Sequence, residues 1–146
     1  MIYLGADHAG WHLKEEIKKY LQESGYEYQD LGSKELNSKD DYPDFALEVA
    51  KKVVQTRDKG ILICSTGIGM CMTANKVKGV RGAVCRDEFT ALQSREHNDA
   101  NVLCLAGKSL DTKATLKIVR VWLEAEFTGE ERHIRRLNKV EQIEKE

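Results

Sequence analysis

The chain has 146 residues, 32% of them charged, with 23 Lys or Arg against 24 Asp or Glu and a formal net charge of −1 at pH 7. This length suits one domain, 1–146, no apolar run approaches the ~18 residues of a bilayer span, and the even charge leaves no basic footprint for nucleic acid. The opening MIYLGADHAG has neither a basic leader nor a long apolar core, so we expect a strand from the outset rather than a signal peptide, and a cytoplasmic protein without membrane or nucleic-acid partners.

Ile2–Ala6 is a short apolar run that ends at Asp7 and His8. From about Gly10 to Ser24, Leu13, Ile17, Tyr20 and Leu21 recur at helical spacing, and Gly25 stops the helix. Tyr26–Leu31 is a weaker strand, followed by a polar loop, 32–42. Pro43 suits the first turn of a helix whose apolar stripe is Ala46, Val49, Ala50, Val53 and Val54. GILIC, 60–64, is continuously apolar, as in a strand buried on both faces. Thr66-Gly67-Ile68-Gly69 turns into a helical stretch reaching about Lys76. Val80–Cys85 is a fourth strand, Asp87–Arg95 a helix, Val102–Ala106 a fifth strand, Asp111–Glu126 a long helix and Glu130–Lys145 a charged one.

Strand and helix alternating five times predict a three-layer αβα, Rossmann-like sandwich: a five-stranded, mostly parallel sheet with an extra C-terminal helix. Ligands of such sheets bind beyond the carboxyl ends of the strands. That rule selects Asp7-His8, the segment 64–69 and the loops after strands four and five. His97-Asn98-Asp99, between a helix and a strand, is assigned to the same edge.

Several familiar signatures fail. Gly67-x-Gly69 meets Met72 where a dinucleotide fingerprint needs its third glycine, and Gly107-Lys108-Ser109 lacks the Walker glycine, its place taken by Val102. Met70 stands where a phosphatase loop opening at Cys64 needs arginine. No two of the four cysteines form a C-x-x-C pair, and none has zinc-ligand spacing to a histidine. Cys71, Cys85 and Cys104 are read as small buried hydrophobes. Cys64 differs: it closes a buried strand just before a glycine-rich turn, where backbone N–H groups and the helix dipole favour an anion and hence a thiolate. Asp7 is either a functional partner of His8 or a helix cap. Arg132 and Arg136, four apart on one helix side, are either a solvated face or a phosphate grip. His12 reads as a surface residue.

ADHAG at 6–10, DYPD at 41–44, GILICSTGIGM at 60–70, ANK at 74–76, SREHNDANVL at 94–103 and ERHIRR at 131–136 resemble, in order and over nearly the whole chain, the type B ribose-5-phosphate isomerases of the ribose/galactose isomerase family. The resemblance implies interconversion of ribose 5-phosphate and ribulose 5-phosphate in the non-oxidative pentose phosphate pathway, with no metal and no organic cofactor. It implies Cys64 as the base between C2 and C1, and the turn Ser65, Thr66, Gly67, Ile68, Gly69 as the stabiliser of the enediolate, with Thr66 shuttling a hydroxyl proton. His97, assisted by Asp7, would open the sugar ring. His8, Arg132 and Arg136 would hold the phosphate, Asn98 the sugar oxygens, and Tyr42 would line the pocket. Family members are homodimers or homotetramers with the active site at the subunit interface. Two departures bear on substrate choice: Ser65 replaces a frequent glycine, and Lys108 replaces a frequent phosphate-binding arginine whose planar fork lysine lacks. They leave a hexose 6-phosphate, of allose or galactose, as the alternative substrate, with a non-catalytic sugar-phosphate binder behind it.

Overall fold

The computed structural model describes residues 1–108 and 111–146; Ser109 of the failed Walker signature lies outside the described residues. The elements run β1 (Ile2–Ala6), α1 (Trp11–Glu23), β2 (Tyr28–Asp30), α2 (Tyr42–Thr56), β3 (Lys59–Cys64), α3 (Ile68–Ala74), β4 (Gly82–Val84), α4 (Glu88–Glu96), β5 (Val102–Ala106), α5 (Thr112–Glu124) and α6 (Glu131–Glu144). The strands form one sheet in the order β2-β1-β3-β5-β4, and every pairing is parallel. The expected sandwich is present, with a wholly parallel sheet.

β1 and β5 are buried at every position, which is why they read as unbroken apolar runs rather than alternating ones. One face of the sheet packs Leu4, Ile61, Ile63, Leu103 and Leu105 against α1, α4 and α5, centred on the fully buried Trp122. The other packs Tyr3, Leu62, Cys64 and Cys104 against α2 and α3. The predicted second and fourth strands shrink to three residues each, as suits edges that must not invite further pairing.

One member of the α2 stripe fails. Ala46, Val49, Ala50 and Val53 are buried, but Val54 is 38% exposed, because it sits ~100° around the helix from Val53. Cys71 also departs from expectation. Cys85 and Cys104 are buried, whereas Cys71 is only partly so and receives a hydrogen bond from Asn75 Nδ2 at 3.4 Å. Its pKa falls to about 7, chiefly through a hydrogen bond with Cys104 that outweighs the opposing effect of burial; the Cys104 thiol is pushed up correspondingly. Among the described residues, no helix is long and apolar enough to cross a membrane.

Candidate active site

A parallel sheet sends every strand-to-helix turn to one edge and every helix-to-strand return to the other. That partition divides the predicted site residues into two groups.

At the carboxyl edge, three turns press together. After β1, Asp7 Oδ1 accepts the backbone N–H groups of Ala9 at 3.0 Å and Gly10 at 3.2 Å, so one oxygen of Asp7 closes the turn ahead of α1; it does not cap the helix, whose N-cap is Gly10 without a side-chain bond. After β3, Gly67 adopts φ +81°, a conformation open to glycine without penalty, and its N–H donates to Cys64 Sγ at 3.1 Å. Cys64 is 4% exposed. Thr66 Oγ1 accepts from Ile68 N–H at 3.2 Å, leaving its hydroxyl proton free to donate. Tyr42, the first residue of α2, lays its ring over Gly69, where even a methyl group would approach it to 2.6 Å. After β5, Gly107 N–H donates to Cys64 O at 2.7 Å and Lys108 N–H to Ser65 O at 3.3 Å, so the two departures from the family pattern touch each other beside the cysteine. Asp7, His8, Tyr42, Cys64, Ser65, Thr66, Gly67, Ile68, Gly69 and Lys108 thus share one edge.

His97 and Asn98 do not, and the edge assigned to them is corrected here. They follow α4 and precede β5, so they stand where β5 begins; Cys64 pairs with Ala106, where it ends. The five residues of β5 separate them by roughly 13 Å at a rise of about 3.3 Å per residue. Arg132 and Arg136 lie with them. α6 runs along the amino edge, His133 stacking on His97 with ring centroids 4.2 Å apart at 18° and Thr128 N–H bonding Glu96 O at 3.0 Å. Arg132 and Arg136 are exposed, with Arg132 Nε bound to Glu130 Oε2 at 3.0 Å.

Asp99 of the His97-Asn98-Asp99 run is structural. It holds φ +46°, tolerated by Asp better than by most residues, and its carboxylate is gripped by Arg95 at 2.9 Å and Arg81 at 3.1 Å. Arg81 Nε also donates to its carbonyl at 2.8 Å. The turn that presents His97 and Asn98 is therefore stiff. Burial lowers the pKa of His133, helped by the neighbouring His97 and Arg132 charges, so His133 favours its neutral form. A cavity of about 230 Å³ at this edge is lined by Arg81, Asp99, Phe127 and Ile134 among others and touches none of the predicted residues.

Sequence reading missed Asp40. Its Oδ1 accepts His8 N–H at 3.0 Å and lies 2.7 Å from His8 Nδ1. Asp7, His8 and Asp40 offer ligand atoms within 4.8 Å of one another. At 2.7 Å, however, the His8–Asp40 contact is a hydrogen bond, tighter than the ~3.3 Å between neighbouring tetrahedral ligands at zinc–nitrogen distances.

The profile of the Ribose/Galactose Isomerase family matches residues 2–140. The probable ribose-5-phosphate isomerase B of Mycoplasma genitalium is 46% identical, covering 99% of this chain and 96% of its own. The ribose-5-phosphate isomerase B structure from Clostridium thermocellum superposes with a TM-score of 0.95 at 48% identity, over 99% of this chain and 97% of that one. The Mycoplasma genitalium enzyme with bound ribulose-5-phosphate superposes at 0.96 and 46%, over 99% and 96%.

Proposed function

This chain belongs to the ribose/galactose isomerase family, and on that footing we propose that it interconverts ribose 5-phosphate and ribulose 5-phosphate through an enediolate, as one isomerase domain over residues 1–146. The observation that carries the reading is the Gly67 N–H donated to Cys64 Sγ at 3.1 Å, at the strand edge where α/β sheets bind ligands. That bond holds the sulfur at the mouth of the glycine turn, where a base for carbon acid chemistry has to stand.

His97, with Asp7, opens the furanose. Cys64 removes the proton from C2 of the open aldose and O1 takes one, giving the enediol. The thiol returns its proton to C1 as O2 loses its own, leaving the ketose. Thr66 carries the hydroxyl proton between O1 and O2, and the turn from Ser65 through Gly69 stabilises the negative charge that develops. His8, Arg132 and Arg136 bind phosphate, Asn98 binds sugar hydroxyls and Tyr42 walls the pocket. No metal or organic cofactor enters any step.

Both groups of residues must meet one sugar, so the site forms between two copies. Each copy gives its Cys64 edge to the other's His97 edge, and a twofold pair completes two sites at once. The exposed Ile68 and Met72 of α3 and Ile134 of α6 supply apolar surface for such contacts. Four unpaired thiols support a reducing, cytoplasmic setting.

Incubated in deuterated water, ribose 5-phosphate should yield ribulose 5-phosphate with solvent deuterium at the carbon beside the carbonyl, read by NMR. Binding without product or label would instead mark a sugar-phosphate binder. Lys108, in place of the family's frequent arginine, motivates a second reading, a hexose 6-phosphate substrate; kcat/KM on ribose 5-phosphate against allose and galactose 6-phosphates decides between them.

A further inference from the structure

We propose that Asp40 is the positioning residue for His8, turning its imidazole so that Nε2 meets the substrate's phosphate. The proposal rests on the reading of His8 as a phosphate ligand.

Asp40 belongs to the polar loop between β2 and α2, where residues 34–39 are exposed. Its own side chain is nevertheless only 9% exposed. Oδ1 accepts the His8 backbone N–H and lies within hydrogen-bond distance of Nδ1, so a single oxygen fixes both the main chain and the ring. A ring nitrogen facing a carboxylate at 2.7 Å carries its proton there. Nε2, across the ring, makes no hydrogen bond among the described residues, and the side chain is 37% exposed. Nε2 is therefore the nitrogen left for a ligand. The other carboxylate oxygen, Oδ2, is buried without a partner. An orphaned, buried carboxylate oxygen opposes folding, and His8 is the only group among the described residues to which Asp40's side chain bonds. What Asp40 gains is the geometry of that histidine, much as carboxylates orient ligating histidines in other sites.

The loop is held firmly enough to do this. Lys14, fully buried, donates from Nζ to Asp30 at 3.0 Å and to Ser33 O at 2.6 Å. Gly32 N–H bonds Asp30 Oδ1 at 2.9 Å. The amino end of the loop is thus clamped to α1, the helix that follows His8.

The test compares wild type, Asp40→Ala and Asp40→Asn on ribose 5-phosphate, each also in a His8→Ala background. Asp40→Ala should raise KM about tenfold, one well-placed hydrogen bond's worth, with kcat within about twofold. Asp40→Asn, whose amide oxygen still accepts from Nδ1–H, should recover most of that loss, and Asp40→Ala should add nothing once His8 is gone. An unchanged KM, a fall confined to kcat, or an equal loss without His8 would overturn the proposal. Independently of any variant, nitrogen-15 NMR of the wild-type chain should show the His8 Nδ1 protonated and hydrogen-bonded; a bare Nδ1 overturns it too. A wild type that does not isomerise ribose 5-phosphate would reject the function while leaving the NMR result to judge Asp40.

Discussion

The two edges of the sheet are built differently. The carboxyl edge is made of backbone: three tight turns, a glycine with positive φ, and N–H groups trained on Cys64 and its carbonyl. The amino edge is made of side chains: an arginine-clamped aspartate, two stacked histidines and a row of exposed arginines on α6. Backbone donors are fixed by the fold and suit charge that appears only during reaction. Long cationic side chains suit a ligand charge that is present throughout. On the proposed roles, proton transfer between C1 and C2 falls to the turns of the carboxyl edge, while the arginines of α6 join His8 on the phosphate and His97 supplies the ring-opening acid from the amino edge.

Breaking the carboxyl edge should cost most. Cys64→Ala should lower kcat by about 10⁴-fold or more, the upper range for loss of a positioned base, while KM changes little; turnover within tenfold of wild type would remove Cys64 from the chemistry. Unclamping the loop at that edge should act on stability. Lys14→Met deprives Asp30 of its buried cation at a cost of about 3 kcal/mol, the low end for a broken buried pair because Lys18 remains at 3.0 Å, seen as a lower urea midpoint. Burial alone would raise the Asp30 pKa, but hydrogen bonds from Lys14 and Lys18 outweigh it and the folded value lies below the usual one. Its stabilisation is therefore complete above the unfolded value near 3.9 and is lost as pH falls through the folded value. Lys14→Met should flatten that acid limb.

Breaking the amino edge should act on binding. Arg136→Ala should raise KM for ribose 5-phosphate by about 10–100-fold, in line with one charge-assisted contact, with a smaller effect on kcat; equal losses in both would place Arg136 in the chemistry instead. The smallest effect belongs to His133. Because its folded pKa is depressed, its contribution to α6 docking is complete above the unfolded value near 6.5 and drains away as pH falls toward the folded one. His133→Phe should therefore leave the melting temperature at pH 8 nearly unchanged but weaken its decline between pH 7 and 5. An unaltered decline would separate His133 from that titration.

The same contrast explains what could be read from sequence. Cys64 and the glycine turn are local: strand end, turn and helix start lie within ten residues, and the rule for ligand sites in parallel sheets applies directly. The His97 loop is just as polar, yet chain direction sends it to the opposite edge, and its polarity alone does not reveal that. Asp40 had no local signal either. It lies in a run of polar residues, and its partner, His8, is 32 positions away in sequence. Val54 failed for a simpler reason: an apolar residue in an apolar stretch need not face the core when the helix turns it aside. Cys71 does pack against the core beside Cys104, but it is only partly covered there.

That one sugar is worked on by the Cys64 edge of one copy and the His97 edge of another can be tested by mixing failures. Cys64→Ala and His97→Ala chains, each inactive alone, should be unfolded, combined in equal amounts and refolded together. In a twofold pair, half of the pairs are mixed and each mixed pair has one intact site, so about a quarter of wild-type turnover should return. Activity that stays at the level of the separate variants, in a mixture shown to contain mixed pairs, would mean that Cys64 and His97 do not serve one site across two copies.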